Sequence, residues 1–249
     1  CLPYTLYEAM SLTIPALKDK DSGYTLVPID QANKTDNVLR MQSNVTFTDL
    51  TMNIELTQAR YGALSASYRE DYRSVNKENT LSLVHQRLTK YFDNPVTVSD
   101  VSFTALDECA DSIRMTSKVS VKNEVKKIGS LYAISIPFTD MIFTTDIFNA
   151  DTRTFEFEYW DYENVDRYET EINIVLPENR SFADVPQDKV MEFNGTQYAI
   201  SFKLIKPNQM KVVRTASINR NNISATDFPA FKNWASEIME IENTYITFK

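Results

Sequence analysis

The stretch that decides the fold runs from Tyr168 to Phe248 and contains 168-YETEINIVL-176, 194-NGTQYAISFKL-204 and 209-QMKVVRTASIN-219. In the first piece Tyr168, Ile172, Ile174 and Leu176 alternate with Glu169, Glu171 and Asn173. That is the period of a strand with one buried and one wet face. Asn194-Gly195 supplies two residues that tolerate φ > 0, as a type I′ hairpin turn requires, and Tyr198, Ile200, Phe202 and Leu204 share a face beyond it. A third strand follows over Gln209 to Asn219, after Pro207-Asn208. Thr226-Asp227 offers a side-chain cap and Pro229 a first-turn proline, opening a helix with Phe231, Trp234, Ala235, Ile238 and Ile241 on one stripe. Tyr245 to Phe248 closes as a short strand. All of this is scaffold and carries no chemistry by itself.

Upstream of this stretch, Leu2 to Asp30 reads as extended chain entering from elsewhere, with apolar pieces at Met10 to Ile14 and Tyr24 to Ile29 around the charged turn Lys18 to Gly23. Leu39, Met41, Val45 and Phe47 alternate on one strand and Met52, Ile54 and Leu56 on the next, so Thr48-Asp49 marks a hairpin. From Gly62 the period becomes helical, through Leu64, Tyr68 and Tyr72. A second helix, capped by Asn79, places Leu81, Val84, Leu88 and Phe92 on its inner face before Asn94-Pro95 ends it. Strands resume at Val96 to Phe103, at Ile113 to Val121 and at Leu131 to Ile136.

Pro137 to Thr152 breaks the periodicity and marks the expected domain boundary, although Phe138, Phe143 and Phe148 predict that it packs rather than swings free. Two units follow, 1–136 and 137–249. Together they predict a mainly β, α+β chain of antiparallel sheets. The first half carries a helix pair, and the second is β-sandwich-like with a packed C-terminal helix.

The chain has 249 residues, of which 43% are hydrophobic and 12% aromatic, enough for a sizeable core. Its net charge of −8 argues against nucleic acid or an anionic membrane face as partner, because both need clustered Lys and Arg. The one basic run, Lys122 to Lys127, is short and interrupted by Glu124. No apolar run approaches the roughly 20 residues of a membrane span, and no charged-then-apolar leader precedes Cys1. Cys1 and Cys109 permit one disulfide, weighed against Cys109 as an ordinary thiol beside a strand.

A nucleophile-and-base site needs an imidazole, and His85 is the single histidine. It lies on a helix one position off the apolar stripe, the place of a satisfied flanking histidine. Neither a His-only metal site nor a Cys-x-x-Cys motif can be built. Four glycines, at 23, 62, 129 and 195, make no phosphate cradle. No catalytic residue, cofactor or metal is expected, and a hydrolase working through carboxylates such as Glu156, Glu158 and Asp161 ranks last among the readings, since abundant carboxylates neither exclude nor support an acid pair.

One dense group stands out: Glu156, Glu158, Asp161, Glu163 and Asp166 interleave with Phe157, Tyr159, Trp160 and Tyr162. Aromatic faces can stack on sugars and carboxylates can hold calcium. The spacing lacks the ligand positions and glycine of a calcium loop, so an amphipathic strand running into a polar turn is the plainer reading. Tyr159, Trp160, Asp161 and Tyr162 are the candidate ligand-binding surface.

Arg153 to Phe157, Tyr168 to Pro177, Val185-Pro186, Phe228 to Phe231 and the final Ile246 to Lys249 resemble the C-terminal region of large bacterial transglutaminase-like proteins. Cys1-Leu2-Pro3, Tyr24 to Ile29 and Gly62 with Ala66 and Arg69 look similar to the segment after the core of those proteins. The resemblance implies an exported protein, in the periplasm or envelope of a Gram-negative bacterium. Its transglutaminase-like, cysteine-protease core would lie upstream, flanked by β domains of unknown function. No position here matches the core's catalytic motifs, and Cys1 does not take the nucleophile's role. The expected role is that of a non-catalytic accessory region that braces the core or presents a protein substrate. The alternative is a free-standing lipoprotein, anchored at Cys1, that binds glycan.

Overall fold

A computed structural model describes the backbone of residues 13–19, 23–28, 36–108, 110–148 and 150–249, and within these the side chains from Asp36 onward except those of 146, 147, 160 and 161. The first two strands, β1 (Thr13–Asp19) and β2 (Gly23–Pro28), form an antiparallel hairpin. Next come β3 (Val38–Thr48) and β4 (Thr51–Tyr61), joined by a tight turn in which Asp49 takes φ 54°.

Gly62, at φ 65° and ψ −143°, opens helix α1 (Ala63–Arg73) in a region that side chains with a Cβ avoid. Helix α2 (Lys77–Thr89) follows. Its cap differs from expectation. Asn76, not Asn79, is the capping residue, and its side chain accepts the Asn79 N–H at 2.9 Å. The helix begins one turn earlier than the apolar stripe because its first residues are polar and exposed, which hides the start from a hydrophobic reading.

Strands β5 (Val96–Thr104), β6 (Ser112–Val121), β7 (Lys126–Ile128) and β8 (Leu131–Ser135) complete the first half. After a 3-10 turn over Thr145–Phe148 come a single helical turn α3 (Tyr159–Tyr162) and strands β9 (Arg167–Val175), β10 (Lys189–Phe193), β11 (Thr196–Lys206) and β12 (Gln209–Ser217). Helix α4 (Phe228–Glu242) and β13 (Tyr245–Phe248) end the chain. The Asn194-Gly195 turn forms as expected, at φ 47° and 80°, between β10 and β11. Asp227 caps α4 without a side-chain bond to the helix, because its carboxylate accepts the Ser224 hydroxyl at 2.8 Å instead.

Eight strands make one mixed sheet in the order β10-β11-β12-β9-β3-β4-β6-β5. Every neighbouring pair is antiparallel except β3 and β9, which run parallel from Val38 opposite Arg167 to Val45 opposite Ile174. The expectation of purely antiparallel sheets fails at this seam, since partners so far apart in sequence leave no mark on local periodicity. The seam also carries the sheet across the expected boundary at residue 137. Buried Asn37 clips it: its Nδ2 donates to the Asn164 carbonyl at 2.8 Å, its Oδ1 accepts the Ala63 N–H at 2.8 Å, and its backbone N–H reaches Asp166 at 2.7 Å.

Strand alternation sorts the sheet into two faces. Leu39, Met41 and Val45 of β3, Met52, Ile54 and Leu56 of β4, and Ile172 and Ile174 of β9 point into the core. Arg40, Gln42, Asn44, Glu55, Arg114, Thr116 and Lys118 on the opposite face are exposed. The inner face is covered by α1 and α2 near β4, β5 and β6. Elsewhere it is covered by α4 and a three-stranded sheet, β13-β8-β7. Phe248 of β13 meets Phe47 of β3 at 6.2 Å between ring centres, and Phe231 of α4 meets Phe193 of β10 at 5.6 Å. The chain is thus mostly β, of α+β type. The described residues do not build the two comparable facing sheets of a sandwich.

Candidate functional site

The aromatic-acidic stretch does not form the expected strand. Phe157 makes a single antiparallel bridge to Ile223, after which the chain turns into α3. The alternation is broken accordingly: Phe155 is 82% exposed, whereas Phe157 and Tyr159 are buried. The Tyr159 ring lies 5.2 Å from Phe231 and 5.9 Å from Phe157, inside the aromatic core, so it is not available to a surface ligand. Tyr162 is 54% exposed with its ring 4.7 Å from Phe157. The side chains of Trp160 and Asp161 lie outside the described residues, as do Cys1 and Cys109. Among the described residues no group of three or more His, Cys, Asp or Glu is placed to hold a metal ion. The His85 Nε2 is hydrogen-bonded with the Val96 carbonyl at 3.1 Å, tying α2 to the start of β5.

The buried charges sit elsewhere, where periodicity had flagged nothing. Arg214 occupies the inward phase of β12 between Val212 and Ala216, fully buried. Its Nη2 contacts Asp140 Oδ2 at 2.6 Å and Thr170 Oγ1 at 2.7 Å, and its Nη1 contacts Glu242 Oε1 at 2.7 Å. Phe138 lies across the guanidinium, 4.7 Å from its centre. Burial lifts the Asp140 and Glu242 carboxyls above the usual carboxylate range even though Arg214 pulls both down. The cluster joins three elements: the sheet through Arg214 and Thr170, the 138–142 connector through Asp140, and the last turn of α4 through Glu242. A charge in the apolar phase of a strand, and a glutamate four residues after Ile238, were its readable signals.

Glu163 is a further interior acid. Its Oε1 accepts the Val165 N–H at 2.8 Å and its Oε2 accepts the Tyr168 hydroxyl at 2.9 Å. Desolvation pushes its carboxyl up to about 7 against the pull of these bonds.

A cleft of about 210 Å³ lies between the helix pair and the sheet. Gln58 and Arg60 of β4, Met115 of β6 and Thr139 form its floor side, with Tyr68 and Tyr72 of α1 and Val84, Arg87 and Leu88 of α2 around it, and Lys90 and Tyr91 following α2. The Arg60 guanidinium stacks on Tyr68, 3.7 Å from the ring centre. Arg87 pairs with Asp71 at 2.7 Å and overlies Tyr72 at 5.0 Å. Gln58 and Thr139 bond to each other at 3.1 Å. No carboxylate, imidazole or thiol lines this cleft.

Residues 130–248 match DUF3858, a domain of unknown function for which a structure has been solved. No curated protein matches the chain. Among the described residues no helix is long and apolar enough to cross a membrane.

Proposed function

We propose that this chain is a non-catalytic accessory region of a larger exported protein, bracing a transglutaminase-like core or presenting its protein substrate outside the cytoplasm. The observation that carries the reading is where the interior acids are spent. Asp140 and Glu242 are taken up by Arg214, and Glu163 by Val165 and Tyr168, so each joins one element to another. The cleft beneath the helix pair offers cations and phenols, and no acid, imidazole or thiol lines it to work as a general base or nucleophile. In this role 1–136 and 137–249 are two segments joined along β3 and β9. Intact mass measured on the protein from its native cell is the test. The reading predicts a mass well above 28.7 kDa, with chain preceding Cys1. A mass of 28.7 kDa plus lipid would contradict it.

A second reading, a lipoprotein that binds glycan, draws on the exposed rings of Phe155 and Tyr162. Alanine at Trp160 and Tyr162 tests it on a glycan panel. Binding that is present and then lost supports it, and no binding in the unaltered chain rejects it.

A further inference from the structure

The cleft beneath α1 and α2 stands apart from the rest of this acidic molecule. Three cations, Arg60, Arg87 and Lys90, line it, on a chain whose net charge is −8. Arg87 is engaged by Asp71. Lys90 is exposed and makes no salt bridge among the described residues. Arg60 is stacked on Tyr68 but its buried Nη1 has no hydrogen-bond acceptor. The charge of Asp140 reaches Arg60, and although its Oδ2 is held by Arg214 and its buried Oδ1 has no partner, neither oxygen bonds to Arg60.

A second, independent group faces the same shortage. Tyr72 is 1% exposed and lines the cleft, and its hydroxyl has at most the neighbouring Tyr68 hydroxyl beside it, with no acceptor in good geometry. The neighbouring Tyr68 hydroxyl is turned to Met115 Sδ at 3.1 Å. A buried donor left without an acceptor costs free energy, and here two such groups line one cavity, Arg60 from β4 and Tyr72 from α1. Both would be satisfied by an anion, and the field of the three cations favours one.

The walls narrow the class of anion. Val84, Leu88 and Met115 give the cleft an apolar side that a fully hydrated inorganic ion would leave unused. Two donors match the two oxygens of a carboxylate better than the larger demand of a phosphate dianion. The volume, about 210 Å³, lies below that of a drug-sized pocket and suits a small body. We propose that this cleft binds a small organic carboxylate, with Arg60 and the Tyr72 hydroxyl as its donors and Val84, Leu88 and Met115 against its apolar part. This inference stands independently of the accessory role above.

Titration calorimetry of the full 249-residue chain with benzoate, butyrate, inorganic phosphate and chloride tests it. Tyr72→Phe is the decisive variant, because it removes one hydroxyl and keeps the buried ring. Its ligand-free melting temperature should equal or exceed that of the unaltered chain. Its affinity for benzoate or butyrate should fall at least about tenfold, the worth of one hydrogen bond to a charged group. Arg60→Gln should weaken binding at least as much. Absence of carboxylate binding at roughly 10 mM, near the weak end of measurable affinity, would overturn the proposal and leave water as what satisfies the two donors. Phosphate binding more tightly than either carboxylate, or carboxylate binding untouched by Tyr72→Phe, would overturn it as well.

Discussion

At the scale of single residues, the interior acids make the sharpest predictions. Glu163 titrates near 4.5 when unfolded and near 7 when folded, with desolvation the main cause. Between those values the folded state binds the extra proton, so stability from this group is fully present below about 4.5 and is lost as pH rises through 7. Glu163→Gln keeps the shape and can still serve both Val165 and Tyr168. It should flatten that pH dependence and stabilise the protein at pH 8 relative to pH 5 by on the order of 2–3 kcal/mol. Urea unfolding of both forms across that range checks this, and parallel curves would refute it. Arg214→Met leaves Asp140 and Glu242 buried without their cation. It should cost about 3–5 kcal/mol near neutral pH and less in acid, where the two carboxyls take up protons. A loss under about 1 kcal/mol, the worth of a surface pair, would mean the cluster does not tie the elements together.

At the scale of elements, helix starts and the seam are the places to probe. Asn76→Ala removes the observed cap of α2 and should cost about 1 kcal/mol, while Asn79→Ala, at an exposed position inside the helix, should change stability by under about 0.5 kcal/mol. Thermal unfolding separates the two, and the reverse order would contradict the cap. Asn37→Ala strips both side-chain bonds that fasten β3 to α1 and to the entry of β9, and should cost about 2–3 kcal/mol.

Most elements were legible because their alternation or helical period is local: β3, β4, β6, β9, β11 and β12 follow their apolar residues, and Asn194-Gly195 fixed its turn. What escaped depends on partners far away. Phe155, Phe157 and Tyr159 alternate like a strand but have only Ile223 to pair with, so packing against Phe228 and Phe231 decides their fate. Of the candidate surface, only Tyr162 keeps an exposed side chain among those described. The cleft was invisible for the same reason, because Arg60 and Tyr72 meet only when β4 and α1 pack.

At the scale of the whole molecule, the feature that would give the proposed accessory role physical sense is the continuous sheet. A brace has to carry load from one end to the other, and among the described residues the only strand pairing between the first-half and second-half parts of the large sheet is β3 with β9. If that seam opened easily, β9 would expose an unpaired edge and the small sheet, where β13 pairs with β8, would be left to hold the two segments together. The clips at Asn37 and the surface pair Arg40 with Glu169 at 2.6 Å close it. Native-state hydrogen exchange on the intact chain tests this most directly. The account predicts that the core amides of β4 and β6 and those of β11 and β12 exchange with one common opening free energy and one common dependence on denaturant. Two distinct opening energies, with β3 and β9 exchanging early at the seam, would show two loosely joined units and contradict the picture of a single stiff support.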